Sequence, residues 1–163
     1  MLHGYGMQPE DLAPFTRSIG VPARFYLPEG PVAANPVGRA WWPIDVAVRA
    51  AARAVGPRDL YRERPPGAAR ARQRLLELLA DITADTSDPV VLVGFSQGGM
   101  LALDAVLRER PAIAALALLS SSRISADEWE RCSAAVTGLP VLVSHGQHDD
   151  DLSFARERPC AIF

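Results

Sequence analysis

The sequence predicts an α/β fold: a mainly parallel sheet of about four or five strands flanked by helices. Three observations predict it. Several short runs are almost continuously apolar, segments of helical periodicity lie between them, and the two kinds of segment alternate along the chain. The 163 residues amount to one domain, residues 1–163, long enough to bury a core. With 48% hydrophobic and 22% charged residues, the composition excludes a disordered chain, a collagen-like repeat and a disulfide scaffold.

Pro9-Glu10-Asp11 suits a first helical turn, because proline presets φ and acids face the positive end of the helix, so a helix is expected from Pro9 to about Ser18. Ala23 to Leu27 (ARFYL) is a candidate strand closed by Pro28. The stretch from Pro28 to Pro43, rich in Pro, Gly and Ala, reads as a long irregular segment, and loops of that length serve a site or are loosely ordered. Arg70 to Ala84 sets Leu75, Leu78, Leu79 and Ile82 on one face and Arg70, Arg74 and Glu77 on the other, an amphipathic surface helix. Pro89 to Phe95, Ala112 to Leu119 and Pro140 to Ser144 are the clearest strands. Their lack of polar alternation predicts cover on both faces. Gln97 to Arg110 is a helix stopped by Pro111, and Ser125 with Glu128 forms a capping box that opens another. The resulting β-α-β-α-β-α-β order calls for right-handed crossovers.

Seventeen basic against nineteen acidic residues leave a net charge of −2, with no overall field to draw in nucleic acid or an anionic membrane; neither is expected as a partner. Every basic residue is Arg. The stretch holding Arg58, Arg62, Arg64, Arg70, Arg72 and Arg74 is interleaved with Asp59, Glu63 and Glu77, which reads as a solvated, ion-paired face. Cys132 and Cys160 offer neither a disulfide framework nor a CxxC pair, as fits a reducing compartment. No basic-then-apolar leader opens the chain and no apolar run approaches the roughly 18 residues of a membrane span, so a cytoplasmic location is expected.

The strongest chemical signal is Gly94-Phe95-Ser96-Gln97-Gly98-Gly99, which follows an expected strand and opens an expected helix. A tight turn there lifts Ser96 on a strained backbone above the sheet, while flanking glycines remove Cβ atoms that would collide with strand and helix. Ser96 is then a nucleophile candidate at a helix amino end, where the Gln97 N–H can stabilise an oxyanion. A glycine-rich turn that only packs strand on helix would use the same residues, and so would a phosphate cradle, although neither a Lys nor a GxGxxG spacing accompanies it. His3-Gly4-Tyr5-Gly6 supplies a second loop of the kind that donates to an oxyanion, with the Tyr5 N–H as candidate donor; alone, it reads equally well as a simple turn. Asp149 follows the strand Pro140 to Ser144 and so lies at the carboxyl edge of the sheet, where Ser96 also emerges. An Asp there can orient an imidazole, with Asp150 and Asp151 as adjacent competitors.

His3-Gly4-Tyr5-Gly6, Arg39-Ala40-Trp41-Trp42, Gly94 to Gly99 and His145-Gly146-Gln147-His148-Asp149 stand in the order shown by the phospholipase/carboxylesterase family of α/β-hydrolases, which includes acyl-protein thioesterases, and the chain resembles that family from about Leu2 to Phe154. The resemblance implies an α/β-hydrolase-like sheet and hydrolysis of carboxylic esters or thioesters, with no metal and no organic cofactor. It makes Ser96 the nucleophile, Tyr5 and Gln97 the oxyanion donors and Asp149 the acid of a triad. It also implies an acyl-binding side of the cleft lined by Trp41 and Trp42; on the residues alone, the pair serves equally as loop anchors.

The sequence departs from the family pattern in two ways. Nucleophile-elbow hydrolases order their triad Ser, Asp, His, yet none of the fourteen residues after Asp149 is histidine. His3 and His145 belong to His-Gly turns, and His148 is a near neighbour of Asp149 whose side chain is expected to diverge from it. Both ends also read as short: only Met1 and Leu2 precede His3, and ARERPCAIF after Phe154 suits neither a helix nor a strand. Sheet edges open to another chain, and hence a homodimer, are expected. Two functions of different class follow: a serine hydrolase, or a non-catalytic scaffold that binds an acyl ligand or a protein partner.

Overall fold

A computed structural model describes residues 1–34 and 36–153. The parallel sheet is built by β3 (Val91–Phe95), β4 (Ala115–Leu119) and β5 (Val141–Ser144), once the shorter elements before them are numbered: α1 (Ala13–Ile19), β1 (Val32–Ala34), β2 (Gly38–Ala40), α2 (Val46–Val55) and α3 (Ala68–Asp85). Helices α4 (Gln97–Glu109) and α5 (Ala126–Arg131) fill the two crossovers, and 3-10 turns occupy Pro9–Leu12 and Ser133–Val136. Strand order is β3-β4-β5, all parallel, with Val91 opposite Ala115 and Leu116 opposite Val141. Leu2 adds a one-residue parallel bridge to Gly94 on the far side of β3. The α/β class with a parallel sheet flanked by helices is the one expected, with three parallel strands among the described residues where four or five were read from the sequence.

The core lies where α4 is pressed between the sheet and α3. Every residue of α4 from Gln97 to Leu107 is buried, and Leu92, Leu116 and Leu118 from the strands meet it together with Ala71, Leu75 and Leu79 of α3. Burying such side chains stabilises the fold by about 1.5–3 kcal/mol each. Inside this apolar layer sits Asp104, 3% exposed, which accepts hydrogen bonds from Arg72 Nη1 at 2.6 Å, Arg108 Nε at 2.7 Å and Trp129 Nε1 at 2.8 Å. One carboxylate thus ties α3, α4 and α5 together, its burial offset by three charge-matched or dipolar donors.

Several expectations need correction. Ala23 to Leu27 is not a strand; it sits half-buried or exposed, and Tyr26 takes a hydrogen bond from the Met1 amino group without a ladder forming. Pro28 to Pro43 is not irregular throughout, because it holds the antiparallel hairpin β1–β2, which Gly6 and Met7 join through Gly6 N to Arg39 O at 2.8 Å and Arg39 N to Met7 O at 3.0 Å. α2 was not foreseen. Its start is marked by Asp45, whose Oδ1 accepts from the N–H groups of Ala47 and Val48.

The helix after Ser125 forms, but not by a capping box. Ser125 takes a left-handed conformation and donates to Glu63 O, while Glu128 turns to Arg108 and Arg64, whose hydrogen bonds hold its carboxyl down to about pKa 2. Nor are the strands covered on both faces: burial alternates along β3 and β4, and all four residues of β5 are exposed. The expectation for the last nine residues lies outside the described ones.

Candidate active site

β3 delivers the chain into α4 through a turn in which Ser96 adopts φ 51° and ψ −116°. A non-glycine residue at positive φ costs about 1–3 kcal/mol and persists only where its surroundings over-determine it. Here they do. The Ser96 N–H donates to Leu119 O at 2.8 Å, and its carbonyl accepts from Gly99 N at 3.0 Å and Met100 N at 3.1 Å. A Cβ on Gly94 would lie 2.4 Å from Gly98 O, and one on Gly98 would lie 2.5 Å from Leu2 O, so only glycine lets strand, helix and amino-terminal segment close on one another.

That same approach carries the His3-Gly4-Tyr5-Gly6 loop to the turn. Leu2 N donates to Val93 O at 2.8 Å and Phe95 N to Leu2 O at 3.0 Å, so the loop leaves the sheet edge beside Ser96. Tyr5, Ser96, Gln97 and Trp42 line one cleft of about 750 Å³, whose apolar wall includes Val48 of α2, Met100 of α4 and Leu152. Ser96 is half-buried there, with the N–H groups of the first turn of α4 beside it. A carbonyl in the cleft would meet a hydroxyl beside a helix amino end, the setting in which developing negative charge is stabilised.

The two tryptophans take different places. Trp42 is in the cleft wall, whereas Trp41 is a packing anchor: its Nε1 donates to His3 O at 2.9 Å and its ring stacks on His3 at 5.0 Å. Gln97 matters through its side chain as well as its backbone, since Oε1 accepts from Trp41 N at 2.9 Å and Nε2 donates to Trp42 O at 3.0 Å. Nothing in the local sequence pattern signals this strut. His3 is fully buried, donating from Nδ1 to Gly4 O at 2.7 Å and accepting at Nε2 from Gly30 N at 2.9 Å. Burial lowers its pKa below the ordinary value, which keeps the ring neutral and structural.

The three consecutive acids after β5 separate into three roles. Asp149 Oδ1 accepts from the N–H groups of Asp151 and Leu152, each at 2.9 Å, which fixes the carboxylate and leaves Oδ2 at 3.3 Å from His145 Nε2. The same His145 nitrogen faces Leu152 O at 3.1 Å. Asp150 is exposed and pairs with Arg53 Nη2 at 2.8 Å. Asp151 takes Arg58 Nη2 at 2.7 Å and Arg49 Nη2 at its other oxygen. Burial pulls the Asp151 pKa up, but these hydrogen bonds outweigh it and hold it below the usual value. Asp151, Arg49 and Arg58 line the cleft, with the Arg49 guanidinium 5.4 Å from the centre of the Tyr5 ring. Asp149 does not line the cleft but holds Asp151 and Leu152, which do, so the structure brings Ser96, Tyr5, Gln97 and Trp42 together and leaves Asp149 and Trp41 outside the lining.

A sequence profile described as Phospholipase/Carboxylesterase matches residues 1–157. Among solved structures, the chain is similar to a crystal structure of esterase PE8, at 31% identity and a TM-score of 0.65, over 90% of this chain and 66% of that one. It therefore spans just under two thirds of that esterase's length. Two crystal structures of substituted forms of Arabidopsis thaliana SOBER1 match at 21% and 23% identity, each with a TM-score of 0.62, over 94% of this chain and 76% and 75% of theirs; they support the fold alone. Comparison with curated proteins finds no match.

Proposed function

The chain belongs to the phospholipase/carboxylesterase family of α/β-hydrolases, and on that premise we propose that it hydrolyses carboxylic esters or thioesters of small molecules with Ser96 as nucleophile. In this reading the Ser96 hydroxyl attacks the substrate carbonyl, the N–H groups of Tyr5 and Gln97 hold the oxyanion, and Asp149 takes the acid position of a triad, from which it would orient an imidazole to accept the Ser96 proton; no histidine is among the described residues that line the cleft. Trp42 forms part of the acyl wall, with Trp41 supporting it from behind. The observation that carries the reading is the strained Ser96 turn opening on a mainly apolar cleft shared with Tyr5. The paired amides fixing Asp149 Oδ1 support it from the other end of the sheet edge. The reading needs no cofactor and keeps the chain in the cytoplasm. It also includes self-association through β5, whose Val141, Leu142 and Val143 are exposed at the outer position of the described sheet.

One observation favours a second reading, a scaffold that binds an acyl ligand or a protein partner without turnover. His3 is locked between Gly4 and Gly30, His145 is engaged by Asp149 and Leu152, and His148 points into solvent. Removing a triad member lowers turnover by several orders of magnitude. A fluorophosphonate probe with p-nitrophenyl acetate decides between the two. The hydrolase reading expects labelling at Ser96 and turnover, both abolished by Ser96→Ala; a folded protein that neither labels nor turns over is the scaffold.

A further inference from the structure

Arg123 lies in the segment between β4 and α5. It is 7% exposed, its Nη2 is fully shielded, and its guanidinium makes neither an ion pair nor a hydrogen bond with any described residue. Charged side chains are almost never buried without a partner, and each buried unsatisfied group calls for an explanation. Asp104, the other deeply buried charge among the described residues, shows what the fold normally does, since it is met by three donors. The segment that holds Arg123 is also fixed at both ends. Ser120 N donates to Ser144 O at 2.7 Å, while Ser125 N donates to Glu63 O at 2.9 Å and Ala126 N to Tyr61 O at 2.8 Å. Ser120 and Ser125 both take a φ of 46°, so the segment is bracketed by two strained non-glycine residues of the kind that cluster at ligand clamps.

The segment lies beside the Ser96 turn, although Arg123 itself is not among the residues lining the cleft. A Cβ added to Gly99, in the first turn of α4, would lie 2.7 Å from Ser121, so this segment packs directly against the turn that presents Ser96. The next residue, Ile124, is part of the cleft wall. From these observations we infer that the Ser120–Ser125 segment is a binding site for an oxyanion, a carboxylate or phosphate group, received by the Arg123 guanidinium. A planar guanidinium is matched to two oxygens of such a group, and a preorganised, desolvated one binds it more strongly than an exposed arginine does. The oxyanion belongs either to a free anion or to an ester that enters the neighbouring cleft.

The site does not depend on Ser96 chemistry, and binding readouts test it. Inorganic phosphate is expected to raise the melting temperature of the protein by about 3 °C over sodium chloride of equal ionic strength, and Arg123→Met to remove that gain. In phosphate-free buffer Arg123→Met is expected to melt at or above the parent, because it removes an uncompensated buried charge. A melting temperature about 5 °C or more below the parent would show a partner within the chain and overturn the inference. Two esters then identify the source, measured on Ser96→Ala protein so that nothing turns over. A roughly tenfold tighter binding of p-nitrophenyl hemisuccinate than of p-nitrophenyl acetate, lost in Arg123→Met, assigns the oxyanion to the ester. Phosphate stabilisation without that preference assigns it to a free anion. No response to phosphate or hemisuccinate in the parent, or equal responses in Arg123→Met, overturns it.

Discussion

The serine side of the cleft and the acid side are held together by different forces. Around Ser96 the backbone of three segments closes to distances that exclude even a methyl group, and α4 behind it is buried along most of its length. Around Asp149 the strand is exposed at every position, and the loop is held by ion pairs from Arg49, Arg53 and Arg58 together with two amides on one carboxylate oxygen. The serine side is therefore a packing problem with one solution. The acid side is an electrostatic one, adjustable by salt and by substitution.

The sharpest way to break the comparison is a pair of glycine substitutions. Gly98→Ala drives a methyl into the Leu2 and His3 carbonyls and should destabilise the protein by about 3 kcal/mol in urea unfolding, with loss of fluorophosphonate labelling. Gly146→Ala on the acid side meets only Asp149 N at 3.9 Å and should change stability by less than about 0.5 kcal/mol. Equal effects would dissolve the distinction. A smaller contrast separates the two charge networks. Asp104→Asn leaves two arginines short of a buried partner and should cost about 3 kcal/mol whatever the salt. Asp151→Asn should cost about 1 kcal/mol, most of it gone in 1 M sodium chloride as ions screen the arginines.

The mildest test uses pH. His3 stays neutral in the fold because burial opposes its charge, whereas the unfolded chain takes up that proton near pH 6.5. The unfolded state then binds more protons, so the contribution of His3 is complete above about pH 6.5 and declines as the pH falls below it. His3→Gln should flatten that part of the melting-temperature profile, whatever its effect on the plateau.

Much of the serine side was legible in the sequence because its demands are local. Glycine spacing around Ser96, the continuous apolar strands and the Leu75, Leu79 and Ile82 stripe each report a backbone requirement within a few residues. The acid side was legible only in its position. Which of three adjacent acids meets which arginine depends on contacts about a hundred residues apart in the chain, as between Arg49 and Asp151, and no local pattern encodes that. Helix α2 lay between these cases: Asp45 and the alanine-rich run before Gly56 mark it, but no Leu or Ile stripe and no proline start sets it apart from the irregular segment before it. Ser125 shows the opposite error, a correct local signature overruled by the Glu63 carbonyl and by the two arginines that claim Glu128.

The pairing of His145 with the free oxygen of Asp149 bears on any attempt to complete the site from outside. A second molecule that offered its own histidine would find the seat taken, and its success would be set by the difference between two imidazoles competing for one oxygen. Complementation in trans would then be titratable, weak while His145 holds its place and stronger once that resident ring is removed.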